Sequence, residues 1–117
     1  MSVLEVRDAL LTVTKEVYHC KAPEGIKRYI VWVEGGGSGT DPWADNKMQQ
    51  QSISGTADYY TDTEYDITVD KIQLAFSDAD ISFSIISLEY YNDTCSWHYQ
   101  WRWEVICYIG LMYNAGS

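Results

Sequence analysis

Residues 97–107 read WHYQWRWEVIC, and the alternation within them decides the fold. Trp97, Tyr99, Trp101, Trp103, Val105 and Cys107 fall on one face of an extended chain, while His98, Gln100, Arg102 and Glu104 fall on the other. That pattern is a strand with one buried face, and aromatic side chains of this bulk need a covering layer. Trp97, Tyr99, Trp101 and Trp103 are therefore read as core. Immediately upstream, Ile81, Phe83 and Ile85 alternate, and Leu88 and Tyr90 continue in the opposite phase, which predicts a bulge at Ile85 and Ile86. Asn92, Asp93 and Thr94 supply the turn of a hairpin.

Further upstream the period changes. Val3, Val6, Leu10, Val13 and Val17 recur at spacings of three and four, drawing one apolar stripe on a helix that ends near Lys15. Ser2 followed by Glu5 is a capping box at its start. Residues 17–20 read as already extended, and Pro23, Glu24 and Gly25 as a turn. The run RYIVWVE at 28–34 is a strand whose near-continuous apolar character predicts burial on both faces. GGGSGTDPWADN at 35–46 reads as a flexible loop carrying Trp43. Residues 47–61 form the next strand, with Met48, Ile53, Ala57 and Tyr59 inward and a bulge expected at Gly55. After the acidic stretch 62–66, Val69, Ile72, Phe76 and Ala79 mark a second helix that stops around 78–80.

The expected class is α+β: an antiparallel sheet of about four to five strands, with two helices packed on one face. The extended residues 17–20 supply a short extra strand after the first helix. At 117 residues the chain has room for one core. Residues 1–105 read as a single domain and 106–117 as a C-terminal extension, for which a swapped arm, a docked segment and partial disorder remain open.

Seventeen acids against eight bases give a net charge of -9. Specific nucleic-acid binding and attraction to anionic membranes are disfavoured, since both need clustered Lys and Arg. No stretch approaches the ~20 apolar residues of a membrane span, and the first residues lack a signal peptide's basic start and apolar run. The expectation is a soluble, intracellular chain.

No constellation for catalysis emerges. The glycines from Gly35 onward lack the Lys and Ser/Thr of a phosphate loop. Asp58, Asp62, Glu64, Asp66 and Asp70 lack the spacing and pivot glycine of a calcium loop. Cys20, Cys95 and Cys107 form no disulfide framework and read as free buried thiols. A zinc set of His19 or Cys20 with Cys95 and His98 reaches only three ligands, because adjacent strand residues point to opposite faces. No serine sits in a nucleophile elbow. His98 reads as an exposed cross-strand partner rather than a general base. The tryptophans could form a stacking platform for sugars or bases, but a core face is the favoured reading. The expectation is no enzyme, no metal and no cofactor.

The succession ADNK at 44–47, GTADYYTDTEYD at 55–66, VDKIQLAF at 69–76, SIISLEYYNDT at 84–94 and WHYQWRWEV at 97–105 resembles small tail-completion proteins of long-tailed phages and prophages of Gram-positive bacteria. It covers roughly residues 3–105, and its motifs are structural rather than catalytic. The glycine-rich loop, Cys95 after the turn and residues 106–117 depart from the pattern. The resemblance implies a virion protein similar to tail terminators. Such a protein forms a homo-oligomeric ring, commonly a hexamer, on the head-proximal end of the major tail tube protein, and its other face meets the head–tail connector. It would reside in the virion tail, and in the host cytoplasm during assembly. A ring needs a heterologous interface, and Trp43, Asp45, Asn46, Lys47, Gln49 and Gln51 are its candidate residues. Two alternatives stand beside this: another head–tail joining (neck) protein, and a small-ligand or carbohydrate-binding module using the tryptophan face.

Overall fold

A computed structural model describes residues 1–35 and 50–114. Its elements are α1 (Leu4–Leu11), β1 (Val17–His19), β2 (Tyr29–Glu34), β3 (Gln50–Thr61), α2 (Thr68–Asp78), β4 (Ser82–Tyr91) and β5 (Ser96–Tyr108). The strands form one sheet in the order β1-β2-β3-β5-β4. Every pair is antiparallel except β1 with β2, which is parallel, so the sheet is mixed. The fold is α+β, and the expected antiparallel sheet is corrected only at that edge. The connection of residues 20–28 carries the chain back to start β2 alongside β1, so both strands run the same way.

Both helices cover the face predicted from the alternation of β5. Ile30 and Trp32 of β2, Ala57 and Tyr59 of β3, and Trp101, Trp103, Val105 and Cys107 of β5 are buried there against Val3, Val6 and Leu10 of the first helical segment and Ile72 and Phe76 of α2. Fully burying two indoles requires partners for their N–H groups. Trp101 Nε1 donates to Gln73 Oε1 at 3.0 Å, and Trp103 Nε1 donates to the Thr56 carbonyl at 2.9 Å. Trp97 and Tyr99, nearer the hairpin turn, are half-buried.

Local chemistry sets the element ends. Ser2 Oγ accepts from the Leu4 N–H at 3.1 Å, and the Ser2 N–H donates to Glu5 Oε2 at 2.6 Å, which is the expected reciprocal cap. α1 ends at Leu11 rather than near Lys15. Thr12 Oγ1 turns back to the Ala9 carbonyl at 2.6 Å, and Thr14 Oγ1 accepts from the Glu16 N–H, so threonine side chains compete with the helical ladder. α2 ends in a Schellman arrangement. The Ile81 N–H donates to the Phe76 carbonyl at 2.9 Å and the Asp80 N–H to Ser77 at 3.1 Å, with Asp80 left-handed at φ 58°.

Three strand expectations change. β2 buries only Ile30 and Trp32, because among the described residues no helix packs on the sheet's other face. The β3–β5 register runs unbroken through Gly55, so Gly55 is not a bulge. It permits close approach instead: a Cβ there would lie 2.1 Å from the Val33 carbonyl oxygen and 2.4 Å from Trp103 Cζ2. Finally, Cys20 and Cys95 are exposed and only Cys107 is buried, since the first two sit in connections and the third on the covered face. The bulge between Ile85 and Ser87 is where the phase change placed it.

Residues 106–114 continue β5 to Tyr108 and then turn back. The Val3 N–H donates to the Met112 carbonyl at 2.8 Å, Ser2 Oγ reaches the same oxygen at 2.9 Å, and Tyr113 Oη donates to Glu34 Oε2 at 2.7 Å. This stretch is docked on the start of α1.

Candidate functional site

Of the residues proposed for a subunit interface, Trp43, Asp45, Asn46, Lys47 and Gln49 lie outside the described residues. Gln51 is described, and its surroundings are informative. β2 ends where Glu34 opposes Gly55, and β4 begins where Ser82 opposes Glu104. Beyond those points β3 and β5 continue alone, pairing Gln50 with Tyr108, Gln51 with Cys107, Ser52 with Ile106 and Ile53 with Val105. Among the described residues this ribbon has no strand on either side. One face, bearing Gln51, Ile53, Val105 and Cys107, sits over the start of α1, and burial raises the Cys107 thiol pKa. The other face is exposed among the described residues. Ile106 is 56% exposed, Tyr108 46%, and Ile109 just beyond is 65%. Among the described residues this ribbon, with its exposed apolar side chains and unpaired edges, is the most conspicuous docking feature at this end of the sheet.

The uncovered face of the sheet carries a second feature, near the opposite end. Tyr29, Tyr60 and His98 stand side by side across β2, β3 and β5, because the register places them in one row. The Tyr29 and Tyr60 rings are stacked at 5.0 Å, and Tyr60 and His98 at 4.3 Å. His98 Nε2 is 2.7 Å from Asp58 Oδ1, and Nδ1 is 3.0 Å from Tyr91 Oη. With the Nε2 proton donated to Asp58, neutral Nδ1 accepts from the Tyr91 hydroxyl. Burial, together with the negative charge of Asp58, pushes the Tyr60 phenol up to about 12. His98 is thus a cross-strand partner as expected, but its side chain is only 11% exposed. The pattern of β5 alone could not show this, because the covering rings come from β3 and β4.

Beside this row lies an open cleft of about 620 Å³, lined among others by Lys27, Tyr60, Asp62, Tyr91 and Ser96. Its donors and acceptors could hold a polar ligand. A smaller cleft on the helix side, about 370 Å³, includes His19, Trp32, Glu34 and Tyr113. His19 Nε2 lies 2.6 Å from Glu34 Oε1. Burial works to raise the Glu34 pKa, but hydrogen bonds from His19 and Tyr113 prevail and hold it below the usual value.

Asp66 is buried at the start of α2. It accepts from Tyr59 Oη at 2.6 Å, Thr61 Oγ1 at 2.7 Å and the Thr68 N–H at 2.9 Å. The arrangement is a helix cap that also ties α2 to β3. Among the described residues no group of three or more His, Cys, Asp and Glu side chains is placed to hold a metal ion. His19 and Glu34 lie toward one edge of the sheet, whereas Cys95 and His98 belong to the β4–β5 hairpin.

Comparison with known proteins adds no relatives. No protein-family model matches the chain, and no curated protein or solved structure matches it.

Proposed function

We propose that this chain is a phage or prophage virion structural protein, a tail-completion or tail-terminator subunit that assembles as a ring at the head-proximal end of the tail tube. The observation that carries the reading is the β3–β5 ribbon, which pairs with no further strand among the described residues, with Ile106, Tyr108 and Ile109 exposed. It supplies apolar surface and free strand edges where the candidate residue Gln51 lies. The ordered succession of motifs and the α+β architecture support the same reading. In it the partners are neighbouring copies, commonly six to the ring, the major tail tube protein and the head–tail connector. The task is shape and self-association, with no reaction and no cofactor. Assembly takes place in the host cytoplasm and ends in the virion tail.

Deletion of the gene from its prophage, followed by electron microscopy of induced particles, tests the role. Filled heads beside detached, overlong or irregular tails are expected. Complementation with an Ile106→Asp, Tyr108→Ser double variant should reproduce that defect while the purified variant stays folded. Tails of normal length that fail to join heads would assign a neck role instead. Normal joined virions would overturn both phage readings.

A ligand-binding module is the second reading, and the cleft beside Tyr60 and Tyr91 is the observation that favours it. The tryptophan face is unsuited to that task, because Trp101 and Trp103 are fully buried.

A further inference from the structure

We infer that the cleft beside Tyr60 and Tyr91 is a saccharide site, shaped to take a ligand whose hydrogen-bonding groups are neutral hydroxyls. The inference rests on the ligand-module reading above and names the ligand class.

The shape of the cleft comes from tall side chains standing beside short ones. Tyr29, Tyr60 and His98 form one row across the sheet, and toward the β4–β5 turn the short side chains of Asp62 and Ser96 follow. The space left, about 620 Å³, falls within the size range of small-ligand sites. Its walls are fixed before any ligand arrives. The Tyr60 ring is held between Tyr29 at 5.0 Å and His98 at 4.3 Å, and Tyr91 Oη is tied to His98 Nδ1 at 3.0 Å.

Donors and acceptors interleave around this space. Burial and the charge of Asp58 push the Tyr60 phenol up to about 12, so it presents a hydroxyl donor at any ordinary pH. Lys27 adds a second donor, from the β2 side. The Asp62 carboxylate only accepts, and beyond its bond from Thr63 Oγ1 at 3.2 Å it keeps Oδ2 for a ligand. The Tyr91 proton is engaged by His98, which leaves the lone pairs of Oη toward the cleft. Thr94 Oγ1 and Ser96 Oγ share one hydrogen bond at 2.7 Å, so that pair retains one donor and spare lone pairs.

That mixture selects among ligand classes. An ammonium group brings donors only and a carboxylate acceptors only, so either leaves half of the wall unmatched. Charge points the same way. An anion would meet Asp62, with Asp58 and Glu89 close enough to act on the Tyr60 phenol. A cation would meet Lys27, and it gains no π face from Tyr60, whose two faces are taken by Tyr29 and His98. A hydroxyl both donates and accepts, and a sugar presents several on one rigid ring.

The test is heteronuclear NMR of the full chain. Maltose, lactose, cellobiose and N,N′-diacetylchitobiose are each titrated to about 20 mM, with tetramethylammonium chloride and sodium phosphate as cationic and anionic counterparts. At least one disaccharide should bind saturably with a Kd of about 1 mM and move the amide signals of Tyr60, Asp62, Tyr91 and Ser96. Tyr60→Phe removes the hydroxyl and keeps the ring stack, and Asp62→Asn removes the charge. Each should weaken binding about tenfold with an unchanged circular dichroism spectrum. Saturable binding by none of these probes overturns both the inference and the ligand-module reading. Binding of tetramethylammonium or phosphate alone keeps that reading and overturns the saccharide assignment. Disaccharide binding that neither variant weakens also overturns it, because the sugar then sits elsewhere. If one variant fails to fold, the other decides.

Discussion

The ring of Tyr60 lies against the imidazole of His98, with 4.3 Å between centroids and 7° between planes. This contact couples β3 to β5 on the face opposite α1 and α2. The same imidazole bonds Asp58 on β3 and Tyr91 on β4, so one side chain links three strands.

Removing it should separate stacking from hydrogen bonding. His98→Ala leaves Asp58 and Tyr91 without their partner and removes the stack, for an expected loss of about 2–3 kcal/mol. His98→Phe keeps an aromatic face for Tyr60 and should lose about 1–2 kcal/mol. Urea denaturation midpoints of the two variants measure the difference, and equal losses would mean that the stack contributes nothing.

Gly55→Ala should be severe for so small a change. The added methyl meets the Val33 carbonyl, a backbone atom, and the buried Trp103 ring, neither of which can move freely. The expected cost is about 3 kcal/mol or more, at the upper end for overpacking. Thermal unfolding measures it. A loss below about 1 kcal/mol would show that β2 and β3 can separate locally.

Asp80→Gly should stabilise the protein. Asp80 occupies a left-handed conformation at φ 58°, where glycine has no Cβ penalty, and only its backbone serves the helix end. A gain of about 0.5–1 kcal/mol is expected from denaturant midpoints. A loss would reveal a role for the Asp80 carboxylate.

Acid should weaken the fold partly through Asp66. Burial works to raise its pKa, but hydrogen bonds from Tyr59, Thr61 and Thr68 outweigh it and hold the carboxyl below its ordinary value. The folded state therefore holds this proton less tightly than the unfolded chain. Its stabilisation is full above the unfolded value and is lost as pH falls through the folded one. Asp66→Asn should be less stable near neutrality and should show a shallower loss between about pH 5 and about pH 2. Urea midpoints across that range provide the check, and parallel curves for the two proteins would sink the assignment.

How far the fold could be read in advance varied with the range of the forces involved. Period two in residues 97–107 and the phase change at Ile85 fixed β5, β4 and the covered face, because side-chain alternation is a local property. The Ser2–Glu5 cap and the end of α2 were likewise local. Gly55 was misread as a bulge because the reason for a glycine there lies on two other strands, at Val33 and Trp103. The parallel pairing of β1 depends on how residues 20–28 turn in space, which composition does not encode. The same holds for His98. Its polar face was legible, but its partners Asp58, Tyr60 and Tyr91 are brought together only by register. Ile106 and Tyr108 put apolar side chains on the otherwise polar face of β5, which the alternation of that strand gave no reason to expect.

The central pair of the sheet has a consequence for how the chain folds. β3 and β5 run side by side from Thr61 opposite Trp97 to Gln50 opposite Tyr108, so each bond of that ladder spans a long stretch of intervening sequence. Closing such loops is slow compared with zipping a hairpin. The β4–β5 hairpin, closed by a short turn, can form by itself, whereas β3 leaves the ribosome well before its partner exists. The backbone bond from Val3 to Met112 likewise waits for residues that follow β5. Native structure in this domain is thus completed only once β5 and the residues after it have emerged, and until then the nascent chain presents β2 and β3 to whatever chaperone or neighbouring chain is at hand.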